Sequence, residues 1–288
     1  TGAMHRTPDA LDLLTLVGAD ATGVLRLDVH GALSHGWVRN LLEGLILTRS
    51  EGAEEFMQGL EHTDELVVGF WDIPEGGTVP PMLLLARGDY RSMPMPDLPP
   101  DRTAAHYRQH ELRAEDSTRV TVALGDHTYM NGERELMVAA LDIVDGLSPA
   151  TGPRGNGVTA AMQRVQLREH TFAFALGARV LVRPDANPIT ETPQVMGFWA
   201  DLGDTVTAEG FVTFSDSSSP TVFLAVIDNS LQMLRHSPEV AALDLTAVVE
   251  RIELRTEGNE LLVRAAFGAD DVQRVSQALD GLVNAQSR

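Results

Sequence analysis

The feature that most constrains this chain is an ending used twice. In each half, two strand-like segments lead into an amphipathic helix that closes on Asp-Gly-Leu, at Asp145-Gly146-Leu147 and again at Asp280-Gly281-Leu282. Each half also carries an earlier alternating segment that runs into a helix. In the first half it is Val24 to Val29, with Leu25, Leu27 and Val29 on one face; Ser34 then caps a helix carrying Trp37, Val38, Leu41, Leu42, Leu45 and Ile46. Period-two strands alternating with period-3.6 helices predict an α+β fold. It would consist of two similar units of mainly antiparallel sheet, with helices packed on one face.

The strongest run of breakers, Ser148 to Gly157, lies near the middle and predicts a linker. The units are then 5–147 and 158–288, with Thr1–Met4 reading as a cleavage-and-cloning remnant. Within the first unit, a helix is expected over Glu54–Glu61. Strands are expected at Glu65–Trp71, Pro81–Arg87, His106–Glu115 and Arg119–His127. Gly76-Gly77 and Asn131-Gly132 read as turns, Met93–Pro100 as an extended loop and Glu133–Val144 as a helix. In the second unit, strands are expected at Gln166–Leu176, Arg179–Arg183, Gln194–Asp201, Thr205–Ser215, Val248–Thr256 and Glu260–Phe267. Pro220 opens one helix and Asp270 or Asp271 caps the last.

Composition excludes more chemistry than it suggests. All 22 basic residues are Arg, and Cys is absent. Without Lys there is no Schiff base and no P-loop lysine; without Cys there is no thiol nucleophile, disulfide, iron–sulfur cluster or common structural zinc site. No cofactor is implied. A net charge of -19, with Arg scattered among acidic neighbours, repels phosphate backbones and argues against nucleic-acid binding. No apolar run is long enough to span a membrane as a helix.

Some patterns resemble a known group. Ala19-Asp20-Ala21-Thr22-Gly23-Val24-Leu25-Arg26-Leu27-Asp28, Leu83 to Tyr90 and the Glu257 to Arg264 hairpin with its helix resemble uncharacterised exported, lipoprotein-like α+β proteins of high-GC bacteria. The resemblance implies a periplasmic or outer-envelope location, with the signal peptide trimmed away, and a non-enzymatic role. Cytoplasmic residence is the alternative. It supplies no functional residues.

Candidate sites are few. His106 and His110 stand at i,i+4, a zinc-ligand spacing on a helix, but on a strand the same spacing leaves them ~13 Å apart. Asp126-His127 sets a carboxylate beside an imidazole, although adjacent strand residues face opposite ways. His30 and His35 flank a helix entry. Gly69-Phe70-Trp71 in the first half echoes Gly197-Phe198-Trp199 in the second. The leading reading is a non-enzymatic binding or scaffold protein with a protein, peptide or lipid partner. Its groove would be lined by Leu83, Leu85, Phe172, Phe174, Phe211 and Phe214. The alternative is a hydrolase or metal-dependent enzyme using His and carboxylate residues between the halves.

Overall fold

The computed structural model describes residues 12–47, 53–74, 79–92, 104–114, 118–155, 157–177 and 193–286. The expected Gly76-Gly77 turn, the Met93–Pro100 loop and the Arg179–Arg183 strand lie outside them. No described helix is long and apolar enough to cross a membrane.

The elements run in chain order as α1 (Leu13–Leu16), β1 (Gly23–Asp28), α2 (Val29–Leu33), α3 (Gly36–Leu47), α4 (Ala53–Glu61), β2 (Thr63–Phe70) and β3 (Met82–Gly88). Next come β4 (Ala105–Tyr107), β5 (His110–Ala114), β6 (Arg119–Leu124), β7 (Thr128–Glu133), α5 (Arg134–Val144) and α6 (Val158–Val165). The chain continues through β8 (Phe172–Gly177), β9 (Val195–Asp201), β10 (Val206–Thr213), α7 (Ser219–Arg235), α8 (Pro238–Ala242) and α9 (Thr246–Glu250). It ends with β11 (Ile252–Glu257), β12 (Glu260–Phe267) and α10 (Ala269–Gln286).

The fold is α+β, and all the described strands join one antiparallel sheet in the order β11-β12-β10-β9-β8-β1-β2-β3-β7-β6-β5-β4. Each half forms a three-stranded meander. Its last strand returns beside the third, and the strand before it lies outside. The halves meet at β1 and β8, where five residue pairs run from Gly23↔Leu176 to Leu27↔Phe172. The strand order therefore runs in parallel in the two halves, but helix placement does not. α5 packs on β3, β6 and β7, whereas α10 packs against α3 on the opposite side of the sheet. Helices cover both faces of a continuous sheet, in place of one face of each unit.

Alternation sorts the strand side chains. One face carries Val24, Val67, Leu83, Leu85, Val122, Met130, Ala173 and Phe211, sealed by Leu13 and Leu16 of α1, Met137 and Leu141 of α5, and Val158 and Val165 of α6. The other face carries Leu25, Leu27, Leu66, Val68, Phe70, Phe172, Phe174 and Phe198, all half-buried. There α2 and α4 close over Leu27 and Leu66 through Val29, Leu33, Met57 and Leu60.

Several expectations are corrected. Asn131-Gly132 lies inside β7, not at a turn. Asn131 is held by Arg119, whose guanidinium donates to its Oδ1 at 2.9 Å, and by its own amide bond to Thr121 Oγ1 at 3.0 Å. Gly132 is required because a Cβ there would stand 2.7 Å from the Met82 carbonyl oxygen of the neighbouring strand. The reversal falls instead at Gly125 (φ 63°), and a second at Arg108 (φ 53°) splits His106–Glu115 into the β4–β5 hairpin. Residues 246–250 form a helix before β11, and α6 occupies the start of the second half. Within the Ser148–Gly157 stretch, Arg154 N–H donates to Ala19 O at 3.0 Å and Gly155 N–H to Ala21 O at 3.1 Å.

Gly132→Ala is predicted to destabilise the protein by about 1–3 kcal/mol, because the new methyl must displace strand backbone. Leu147→Ala, at an exposed side chain, should stay within about 0.5 kcal/mol of the parent. Urea unfolding followed by circular dichroism measures both.

Candidate ligand groove

Local sequence builds α7 from its N-terminus. Asp216 Oδ1 accepts from the Ser218 and Ser219 backbone N–H groups at 2.8 and 3.0 Å. The two serine hydroxyls donate to its carboxylate at 2.6 and 2.7 Å. Pro220 sits in the first turn, where its missing N–H costs nothing. Phe223 packs on buried Phe214 with ring centroids 5.0 Å apart, and Asn259 of the β11–β12 turn donates to Phe214 O at 2.7 Å. The helix is thereby fixed over β11 and β12 on the second face.

What distinguishes α7 is its outward side. A helix on a sheet buries one apolar stripe and shows polar residues to solvent. Here Leu231 is buried, yet Val222, Val226 and Met233 are 57%, 63% and 62% exposed. Two grooves flank the helix. One, of about 490 Å³, lies against the edge strand and is lined by Leu224, Leu231, Ile252, Leu254, Asp228 and Arg235, among others. The other, of about 620 Å³, runs along Val222, Ala225, Val226 and Asn229. In the first groove Arg235 Nε is buried and, among the described residues, has no hydrogen-bond partner.

The expected groove residues divide. Leu83, Leu85 and Phe211 lie in the sealed core at 0%, 0% and 4% exposure, and Phe214 is wholly buried beneath α7. Strand alternation turns the first three toward α5, α1 and α6, so none of the four lines an open groove. Phe172 and Phe174 do share the second face, where they join Phe198 in a cluster with centroids 5.7–6.1 Å apart. The Gly-Phe-Trp echo falls at the end of β2, with Trp71 just past it, and within β9, each the second strand of its half's meander. At both, a Cβ on the glycine would stand 2.6 Å from a valine methyl, of Val17 or Val165. The echo marks equivalent packing positions.

The histidines serve as ties. In the β4–β5 hairpin Tyr107 faces His110, which leaves the adjacent His106 on the opposite face, so the two imidazoles do not converge on a metal. His110 Nε2 instead meets Asp145 Oδ1 at 3.0 Å, and Tyr107 OH donates to Asp142 at 2.8 Å, clasping the hairpin to the end of α5. His127 Nδ1 lies 3.0 Å from Gly88 O, not against Asp126. His35 stands 3.7 Å from the exposed Asp204, and His30 is exposed on α2. A pair the sequence did not reveal, His170 with Asp201 at 3.1 Å, stacks on Trp199. Among the described residues, no hydroxyl nucleophile is hydrogen-bonded to any of these imidazoles, and no three His or acidic groups are arranged to hold a metal ion.

Sheet, helices on both faces and a half-covered apolar side define an α+β sandwich of one wide antiparallel sheet. The same fold is found in TP0453. Its crystal forms I, III and IV superpose with TM-scores of 0.51, 0.54 and 0.52 at 12% identity, over 94%, 93% and 93% of this chain and 98–99% of that one. No family model and no curated protein matches the chain.

The cap of α7 is pH-dependent. Hydrogen bonds from the Ser218 and Ser219 hydroxyls, then from their backbone N–H groups, hold the Asp216 carboxyl well below the usual carboxylate range. A depressed pKa contributes stability above the unfolded value near pH 4 and loses it as pH falls toward the folded value. Asp216→Asn should therefore lower the urea midpoint at pH 7, and the gap from the parent should narrow progressively below about pH 4.

Proposed function

We propose that the chain is a non-enzymatic binding protein of the bacterial envelope that holds an apolar or amphiphilic ligand beside α7. The observation that carries this reading is the outward face of that helix. Val222, Val226 and Met233 stand in solvent on a well-capped helix, and a surface like this gains free energy when something covers it. The groove against β11, of about 490 Å³, falls within the ~300–1,000 Å³ range of small-molecule sites and supports a ligand reading. The absence of Lys and Cys from the sequence and the tying role of the described histidines support a non-enzymatic reading. The resemblance to exported, lipoprotein-like proteins supports the envelope, and fractionation of the native host tests that placement.

Nile red, an uncharged environment-sensitive dye, tests the binding reading. The native protein should enhance its fluorescence without denaturant, and an Ala225→Asn/Val226→Asn variant, altered at exposed positions of which Ala225 lines both grooves, should lose most of that enhancement while keeping its melting temperature. A dye that stays dark with native protein and brightens only in mild denaturant would overturn the reading.

A further inference from the structure

The groove between α7 and β11 is apolar where Leu224, Leu231, Ile252 and Leu254 meet, and it ends at Arg235. A cation in the last turn of a helix is favoured by the macrodipole, which accounts for the residue type. It does not account for the geometry. The closing carbonyls are engaged by other donors: Gln232 O accepts from His236 N–H, and Leu234 O from Ser237 N–H. Arg235 Nε is shut away from solvent without an acceptor, and among the described residues no ion pair or hydrogen bond engages its guanidinium. That guanidinium is a planar fork of donors matched to a carboxylate or phosphate.

The rest of the groove limits what could carry such a head. The other charged wall residue, Asp228, is exposed and seven positions earlier, about 10 Å away along the helix axis. The lining runs from Thr221 to Arg235, roughly 21 Å of helix, as an apolar track of Leu224, Ala225 and Leu231 interrupted by Asp228. A polar metabolite would leave that track dry and unfilled. A long alkyl chain would cover it.

We propose that this groove binds a single-chain amphiphile with an anionic head, seated on Arg235 with its chain against Leu224, Leu231, Ile252 and Leu254. The assignment rests on the binding reading above and names the ligand class for it. A body of charge -19 repels anions at long range, so preference for a negative head here is a local property of one side chain.

Displacement of Nile red by dodecanoate and by dodecanol, both below their aggregation limits, tests it. Dodecanoate should compete at a concentration at least about tenfold lower than its uncharged counterpart. Arg235→Gln should equalise the two, while Arg235→Lys, which keeps a cation, should retain part of the preference and control for folding. Equal competition in the parent, or a preference that survives Arg235→Gln, overturns the head-group assignment and leaves dye binding, and so the broader reading, standing. Failure of both amphiphiles to displace bound dye overturns the ligand class. If the dye itself does not bind, the broader reading fails first. Dodecanoate titrated alone by calorimetry then decides the narrower one: saturable heat lost in Arg235→Gln supports it, and no heat overturns it. Binding to anionic vesicles without binding to the monomeric amphiphile overturns it as well.

Discussion

The structure depends on the antiparallel pairing of β1 with β8. Every other described strand of the first half lies to one side of that ladder and every other described strand of the second half to the other. Its five residue pairs are reinforced by Arg26, whose side chain is 14% exposed and touches both halves. Arg26 Nε donates to Glu65 of β2 at 2.7 Å, and Nη1 donates to His170 O at 3.1 Å and Leu167 O at 3.3 Å, just ahead of β8. A guanidinium that satisfies two carbonyls and a carboxylate avoids the cost of an unpaired buried charge. The seam joins what would otherwise be two open sheet edges.

One wide sheet also creates the asymmetry on which function is argued. Its first face is closed by α1, α5 and α6 around buried side chains from Phe211 across to β5, while at β10–β12 it carries the exposed Thr207, Arg264 and Ala266. Gly69 and Gly197 lie on that face and let Val17 and Val165 come close. On the second face Phe214, Leu261, Ala208 and Ala265 are buried near α7, and the middle of the sheet is less fully covered. There α2 and α4 guard β1 and β2, α10 packs against α3 and β12, α7 stands over β11 and β12, and Phe172, Phe174 and Phe198 remain half-buried. Cover of this kind leaves apolar surface beside α7 without an internal partner.

Most of the elements were legible because period-two and period-3.6 patterns are local. β1, β2, β3, β12, α5 and α7 follow directly from alternation or an apolar stripe. Asn131-Gly132 misled because the dipeptide that favours a tight turn also suits a strand whose neighbour presses on the glycine, and only tertiary contact decides between them. The Arg108 reversal had no glycine to announce it. The expected groove failed at Leu83, Leu85, Phe211 and Phe214 because an apolar residue in a strand does not declare which face is sealed. Arg235 was invisible as a site: a lone arginine ending a helix is ordinary until its Nε proves to be buried and, among the described residues, unbonded. The one available signal was Val222 to Ile227, apolar on all sides of a helix too exposed to bury it.

Hydrogen exchange followed by mass spectrometry, with and without saturating dodecanoate, tests the central claim that the loosely covered second face at α7 is the working surface. The account predicts slowed exchange in peptides spanning Ser219–Arg235 and Ile252–Glu257, with α5 and β6–β7 unchanged. Protection centred on the β4–β5 hairpin or the sealed face, with α7 exchanging as before, would contradict it.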